Sequence, residues 1–127
     1  MQEHGSFELS LCGQILIIKA YDSWNVETAT RFAVEYKKLA LQICDRPWVE
    51  LVDLSQWFLG TPEIWSQVDS VNEWSNQNNK QYEAVIYCLS LQEALLKRSE
   101  ISLSNVESAF FKNEKDARAW LFEKGFN

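Results

Sequence analysis

Asp22 and Asp53 are the first residues to weigh as chemistry, because each closes an apolar run and together they suggest an acid and a base. Two carboxylates held over one substrate can divide proton transfer between them. Neither has a His, Lys or Cys at suitable spacing, and an Asp at the end of a strand ordinarily caps the next turn. Catalysis is therefore not expected. His4 is the single histidine, so metal-ligand clusters and His-activated nucleophiles have no material to be built from. Cys12, Cys44 and Cys88 lie far apart without a CxxC pair, which reads as buried reduced thiols. No cofactor or metal is implied.

The remaining candidates are aromatic and amide residues gathered where strands are expected to end. Tyr21, Asp22, Trp24 and Asn25 follow one apolar run, Asp53, Ser55, Gln56, Trp57 and Phe58 follow a second, and Ser90 follows a third. In open α/β sheets, ligands collect beyond the carboxyl ends of parallel strands. These residues could line an apolar cleft for a small lipid-like or aromatic molecule. They could equally anchor a partner protein, or simply seal the core. Trp48 and Trp120 read as core, whereas Trp65 and Trp74 fall on the margins of a helical stripe and so closer to a docking surface.

The elements that must position them follow from two apolar rhythms. Phe7, Leu9 and Leu11 alternate with polar residues as in an edge strand, and Gly13 turns the chain into the strand Ile15 to Ile18. From Val26 to Cys44 the spacing becomes helical, with Asn25 or Ser23 as N-cap and Arg46-Pro47 ending it. Trp48 to Asp53 is a third strand. Thr61 is placed to cap a helix that starts with Pro62 and runs to about Asn76, and Ser75 to Lys80 is a polar loop. Tyr82 to Cys88, Leu91 to Arg98 and Glu107 to Lys112 read as strand, short helix and strand. Asn113, Asp116 and Gly125 bound a last helix. The order is β-β-α-β-α-β-α-β-α. It predicts one α/β domain over residues 1–127: a mostly parallel five-stranded sheet with an N-terminal antiparallel hairpin strand, flanked by four helices.

Charge narrows the partners. The net charge of −6, with 18 acidic against 12 basic residues, and the lack of any Lys/Arg run beyond Lys37-Lys38 and Lys97-Arg98 argue against nucleic acid and anionic membrane surfaces. The longest wholly aliphatic stretch, Ile15 to Ile18, is far too short to cross a bilayer, so no stable membrane insertion is expected. Met1 to Gly5 shows neither a basic nor an apolar leader region, so a cytoplasmic location is expected. A homodimer remains open.

The element order and two segments resemble the STAS domain, and particularly its SpoIIAA-like single-domain branch. One segment is Phe110-Phe111-Lys112-Asn113-Glu114-Lys115-Asp116-Ala117-Arg118-Ala119-Trp120-Leu121, similar to that branch's closing F-x-D-x-x-x-A-x-x-W-L pattern with Asn113 in the acid's place. The other is Val52-Asp53-Leu54-Ser55, where the family often carries an apolar run ending in Asp-Leu-Ser. The resemblance implies a non-catalytic regulatory module that binds a protein partner. It also implies the alternative of a small apolar ligand, since the fold is similar to lipid-transfer domains. In phospho-regulated members a serine opens the second helix; Thr61 matches it in place, but Gly60 and Pro62-Glu63 depart from the Asp-Ser-Ser-Gly pattern around it.

Overall fold

The computed structural model describes residues 2–87 and 106–127. The expected helix Leu91 to Arg98, together with Cys88 and Ser90, lies outside the described residues. Strand β1 (Ser6–Cys12) pairs antiparallel with β2 (Ile15–Trp24), from Ser6 opposite Tyr21 to Cys12 opposite Ile15. Strands β3 (Trp48–Gly60), β4 (Lys80–Ile86) and β5 (Glu107–Phe111) then add in parallel, giving one sheet in the order β1-β2-β3-β4-β5.

Three α-helices cover the sheet among the described residues. Helix α1 (Val26–Ala40) starts at Asn25, whose Oδ1 accepts from the Thr28 amide at 3.1 Å. It stops at Ala40 rather than at Cys44, because the amides of Gln42 and Ile43 reach back only three residues, to Leu39 and Ala40, and unwind the end into turns. Helix α2 (Trp65–Asn76) follows a 3-10 turn at Pro62–Ile64. Helix α3 (Glu114–Glu123) is capped by Asn113 accepting from the Asp116 amide at 2.8 Å. It closes with Gly125 at φ +97°, which lets the Phe126 amide return to the Leu121 carbonyl at 3.0 Å.

Two expected loops are strand instead. β2 continues through Asp22 to Trp24 and β3 through Trp57 to Gly60, so Tyr21, Asp22, Trp24, Asp53, Ser55, Trp57 and Phe58 all sit on paired strands. Trp24, Leu54 and Trp57 are buried, so this stretch still has an apolar face to hide. Register shifts between Lys19 and Tyr21 and between Asp22 and Trp24 absorb the mismatch. Gly60 closes the ladder where a Cβ would collide with the Trp24 carbonyl oxygen.

Alternation along the central strands divides the interior in two. Leu16, Ile18, Ala20, Val52, Leu54 and Val85 face α1 and α2, whereas Ile15, Val49, Leu51, Ala84 and Ile86 face α3 with its Ala117 and Leu121. Each fully buried Leu, Ile or Val among these contributes about 1.5–3 kcal/mol. Among the described residues, no helix is long and apolar enough to cross a membrane.

Candidate functional site

The register of the parallel strands puts an acid beside an acid. Glu50 of β3 pairs with Glu83 of β4, which in turn pairs with Ser108 of β5, all on the face toward α1 and α2. Central parallel strands are covered on both faces, which hides Glu50, whereas Glu83 and Ser108, nearer the β5 edge, are partly buried. Glu50 is buried, and its Oε1 accepts the Tyr36 hydroxyl of α1 at 2.6 Å and the Lys80 ammonium at 3.2 Å. Lys80 Nζ also reaches the Tyr36 oxygen at 3.4 Å, and Ser108 donates to Glu83 Oε2 at 3.0 Å.

Electrostatics splits the two acids. Burial alone would raise the Glu50 pKa, but the Lys80 ammonium and hydrogen bonds from Glu83, Tyr36 and Lys80 outweigh it and hold Glu50 below the usual carboxylate value. Glu83 goes the other way: burial, then the Glu50 charge, against the opposing pull of Lys80, push it up to about 8. At neutral pH the pair therefore holds one proton, with the Glu83 carboxyl donating to Glu50. Burial would discharge Lys80, yet Glu50 and Glu83 keep its pKa above the ordinary value. Burial and the Glu50 charge push the Tyr36 phenol well above its own.

This cluster borders a cavity of about 80 Å³ between the sheet and α2. Its walls include Trp24, Phe32, Tyr36, Trp57, Trp65 and Phe110 together with Ile18, Val52, Leu54, Val68, Val71 and Val85, and its polar lining is Glu50, Glu83 and Asn72. The rings pack edge to face, Trp24 against Trp57 at 5.7 Å and Trp57 against Trp65 at 6.4 Å. The indole N–H of Trp24 donates to the Ser6 carbonyl at 3.0 Å. The indole N–H of Trp57, a residue only 3% exposed, has no hydrogen-bond partner among the described residues.

The expected site residues thus separate into groups. Trp24, Trp57 and Trp65 come together at the cavity, with Trp65 half-buried. Asp22 and Asp53 do not meet: Asp22 pairs with Trp57 at φ +60°, while Asp53 pairs with Lys19 and accepts from the Ser55 amide and hydroxyl at 2.9 and 2.6 Å. Tyr21, Asp53 and Ser55 line a second, polar dent with Lys19 and Gln56. Burial and the neighbouring Glu8 raise the Tyr21 pKa. Asn25 is a cap, and Phe58 is 60% exposed. Thr61 precedes the 3-10 turn without a side-chain cap bond, because its hydroxyl serves the Glu63 carboxylate instead. Cys12 is exposed rather than buried, since it lies at the end of the edge strand.

Lys80 was expected in a polar loop and is instead a buried strand residue. Asn79 takes up φ +73° and turns the chain early, so β4 begins two residues sooner than its apolar run. Glu50 and Glu83 carried a signal in the sequence: each interrupts an otherwise apolar strand expected to lie inside a covered sheet, where lone acids are rare unless paired.

Comparison with known proteins decides the fold. No family model matches the sequence, and no curated protein matches it significantly. Among solved structures, an uncharacterised protein of the DUF3478 family from Shewanella loihica PV-4, described as having a SpoIIAA-like fold, superposes with a TM-score of 0.74 at 18% identity, covering 95% of this chain and 98% of that one. The fold is SpoIIAA-like. An anti-sigma factor antagonist from Mycobacterium paratuberculosis superposes with a TM-score of 0.63 at 8% identity, covering 94% of this chain and 95% of its own. Within the SpoIIAA-like fold, the closing segment from Phe110 to Leu121 serves the architecture, since Asn113 caps α3, and Ala117 and Leu121 are completely buried beneath it. Among the described residues no group of three or more His, Cys, Asp or Glu could hold a metal ion.

Proposed function

We propose that this chain, acting as one domain over residues 1–127, is a non-catalytic binding module that takes a small, mostly apolar ligand into the cavity beneath α2. The observation that supports it is the cavity itself, walled by Trp24, Trp57 and Trp65, with Glu50, Glu83 and Asn72 as polar groups in a mostly apolar lining. At about 80 Å³ it suits a compact group rather than a long acyl chain, since an engineered apolar cavity of roughly 150 Å³ is what holds benzene. A cytoplasmic setting fits this role. Native mass spectrometry of protein taken from its own host is expected to show a retained low-mass species that Trp57→Ala releases. A bare mass, together with unmoved indole resonances of Trp24 and Trp57 under xenon pressure, overturns the reading.

A second reading, a regulatory module that docks a protein partner, draws support from the anti-sigma factor antagonist among the similar structures and from exposed Phe58. It requires one partner retained on the wild-type chain and lost on Phe58→Ser or Trp65→Ala. Phospho-regulation at Thr61 draws less support. The residue is exposed, but a phosphate there faces Glu63 and a proline that offers no amide. An intact-mass spectrum with one added phosphate is its requirement.

A further inference from the structure

Of the polar groups that line the cavity, the two acids are already served. Glu50 holds the Tyr36 hydroxyl and the Lys80 ammonium, and Glu83 accepts from Ser108 while donating to Glu50. Asn72 of α2 is the third polar group. The Ser75 hydroxyl donates to its backbone carbonyl at 3.0 Å, but its side-chain amide makes no hydrogen bond among the described residues, although the residue is only 9% exposed. Buried amides are nearly always paired, so one left open carries a desolvation cost that a guest can relieve.

Placement on the helix aims this amide inward. Val68, a cavity wall, and the fully buried Ser75 share the sheet-facing side of α2 with it, four residues before and three after. Trp65 packs on Trp57 about two turns before Asn72, and Ser75 stands beside the Tyr36 phenol about one turn after it. Asn72 therefore lies between the tryptophan end of the cavity and the charged end. It is also open to contact. Among the described residues, the unpartnered side-chain atoms that are sealed off are Trp57 Nε1 and Glu27 Oε2, so Trp57 offers a guest its ring while Asn72 offers its polar atoms.

A side-chain amide carries an acceptor, Oδ1, and a donor, Nδ2, on one planar group, so a single group on the guest can serve both. A carboxylate would accept from Nδ2 but turn its second oxygen toward Oδ1, with the Glu50 charge on the same lining. An ammonium would leave Nδ2 unserved and bring a charge to a cluster that Lys80 already balances. An ester or ketone serves Nδ2 alone. An amide whose N–H and C=O point the same way serves both. Resting on the cavity reading above, we infer that Asn72 is the recognition residue, and that the ligand is a small uncharged lactam or primary carboxamide on a short apolar body. Two parallel hydrogen bonds pair its amide with Asn72, while the body packs against the aromatic walls.

The test titrates the intact chain with four five-membered rings of matched shape: 2-pyrrolidinone, γ-butyrolactone, cyclopentanone and cyclopentane. The methyl resonances of Val68 and Val71 report any guest, and the side-chain NH2 pair of Asn72, assigned by its loss in Asn72→Ala, reports recognition. 2-Pyrrolidinone is expected to shift that pair and to bind about tenfold or more tighter than the lactone or the ketone, which share its shape but lack the N–H. Asn72→Ala is expected to abolish this preference while cyclopentane still binds. A lactone or ketone that binds as tightly as the lactam, or a lactam preference that survives in Asn72→Ala, overturns the inference and leaves the cavity reading standing. If none of the four binds, the inference falls, and the xenon experiment decides the cavity reading by itself. Should Asn72→Ala not fold, the ranking of the four rings on the wild-type chain decides.

Discussion

The two faces of the sheet are built from the same strands and to opposite specifications. Toward α3, Ile15, Val49, Leu51, Ala84 and Ile86 meet Ala117 and Leu121 in an apolar cluster rimmed by Tyr82, Phe111, Trp120 and Phe126. Toward α1 and α2, neighbouring positions on β3 and β4 carry Glu50, Lys80 and Glu83 among tryptophans, beside a cavity. Stability does not ask for that polarity, because replacing a buried ion pair with well-packed apolar residues is often neutral or favourable. The α3 face shows what this chain does when packing is the only requirement. The contrast makes the opposite face the place to test the proposed ligand.

Breaking the ion pair tests the contrast most severely. Lys80→Met leaves the buried Glu50 carboxylate without its counter-charge and is expected to cost about 3–5 kcal/mol in denaturant unfolding. Adding Glu50→Gln should restore a large part of that loss, and an additive double variant would show that the pair is not coupled. On the filled face, Leu121→Ala removes a fully buried side chain and is expected to cost about 2–4 kcal/mol, with no pH dependence of its own.

A pH series separates the faces further. The folded-state pKa of Glu83, about 8, lies above the unfolded value, so the folded chain holds the extra proton between roughly pH 4.5 and 8. This contribution is fully present below the unfolded pKa and is lost as pH rises through that window, by at most about 1.4 kcal/mol per pH unit. Glu50, shifted down, acts in the opposite sense, and its contribution is lost as pH falls through the acid range. Glu83→Gln is expected to flatten the decline above pH 5; an unchanged slope would remove Glu83 as its source. The smallest effect contrasts two caps. Asn113→Ala should lose about 1 kcal/mol with its hydrogen bond to the Asp116 amide, whereas Thr61→Ala, which breaks no cap bond, should stay within about 0.5 kcal/mol.

The element order was legible because period-two and helical apolar spacing alternate clearly, and the ends of α3 because Asn113 and Gly125 are strong local signals. The ends of β2 and β3 were not, since bulged pairing between distant segments leaves no local mark and Asp, Ser and Gln near position 55 read as a turn. Trp24, Trp57 and Trp65 were legible as a group near strand ends. The partners that complete their cavity were missed for a different reason. Glu50 faces Glu83 only through a register set by the sheet, and Lys80 looks like loop until Asn79 is seen to turn the chain.

Lys80 also constrains the order of assembly. Its ammonium bonds Tyr36, 44 residues away, and Glu50, 30 residues away, so it joins the first helix to the third and fourth strands. A lysine sheds its water at a loss until both oxygens are in place, and bringing such remote segments together carries a loop-closure penalty. The ammonium therefore goes dry only after β3, β4 and α1 have met, which makes this bond a late latch that rewards only a chain already threaded correctly.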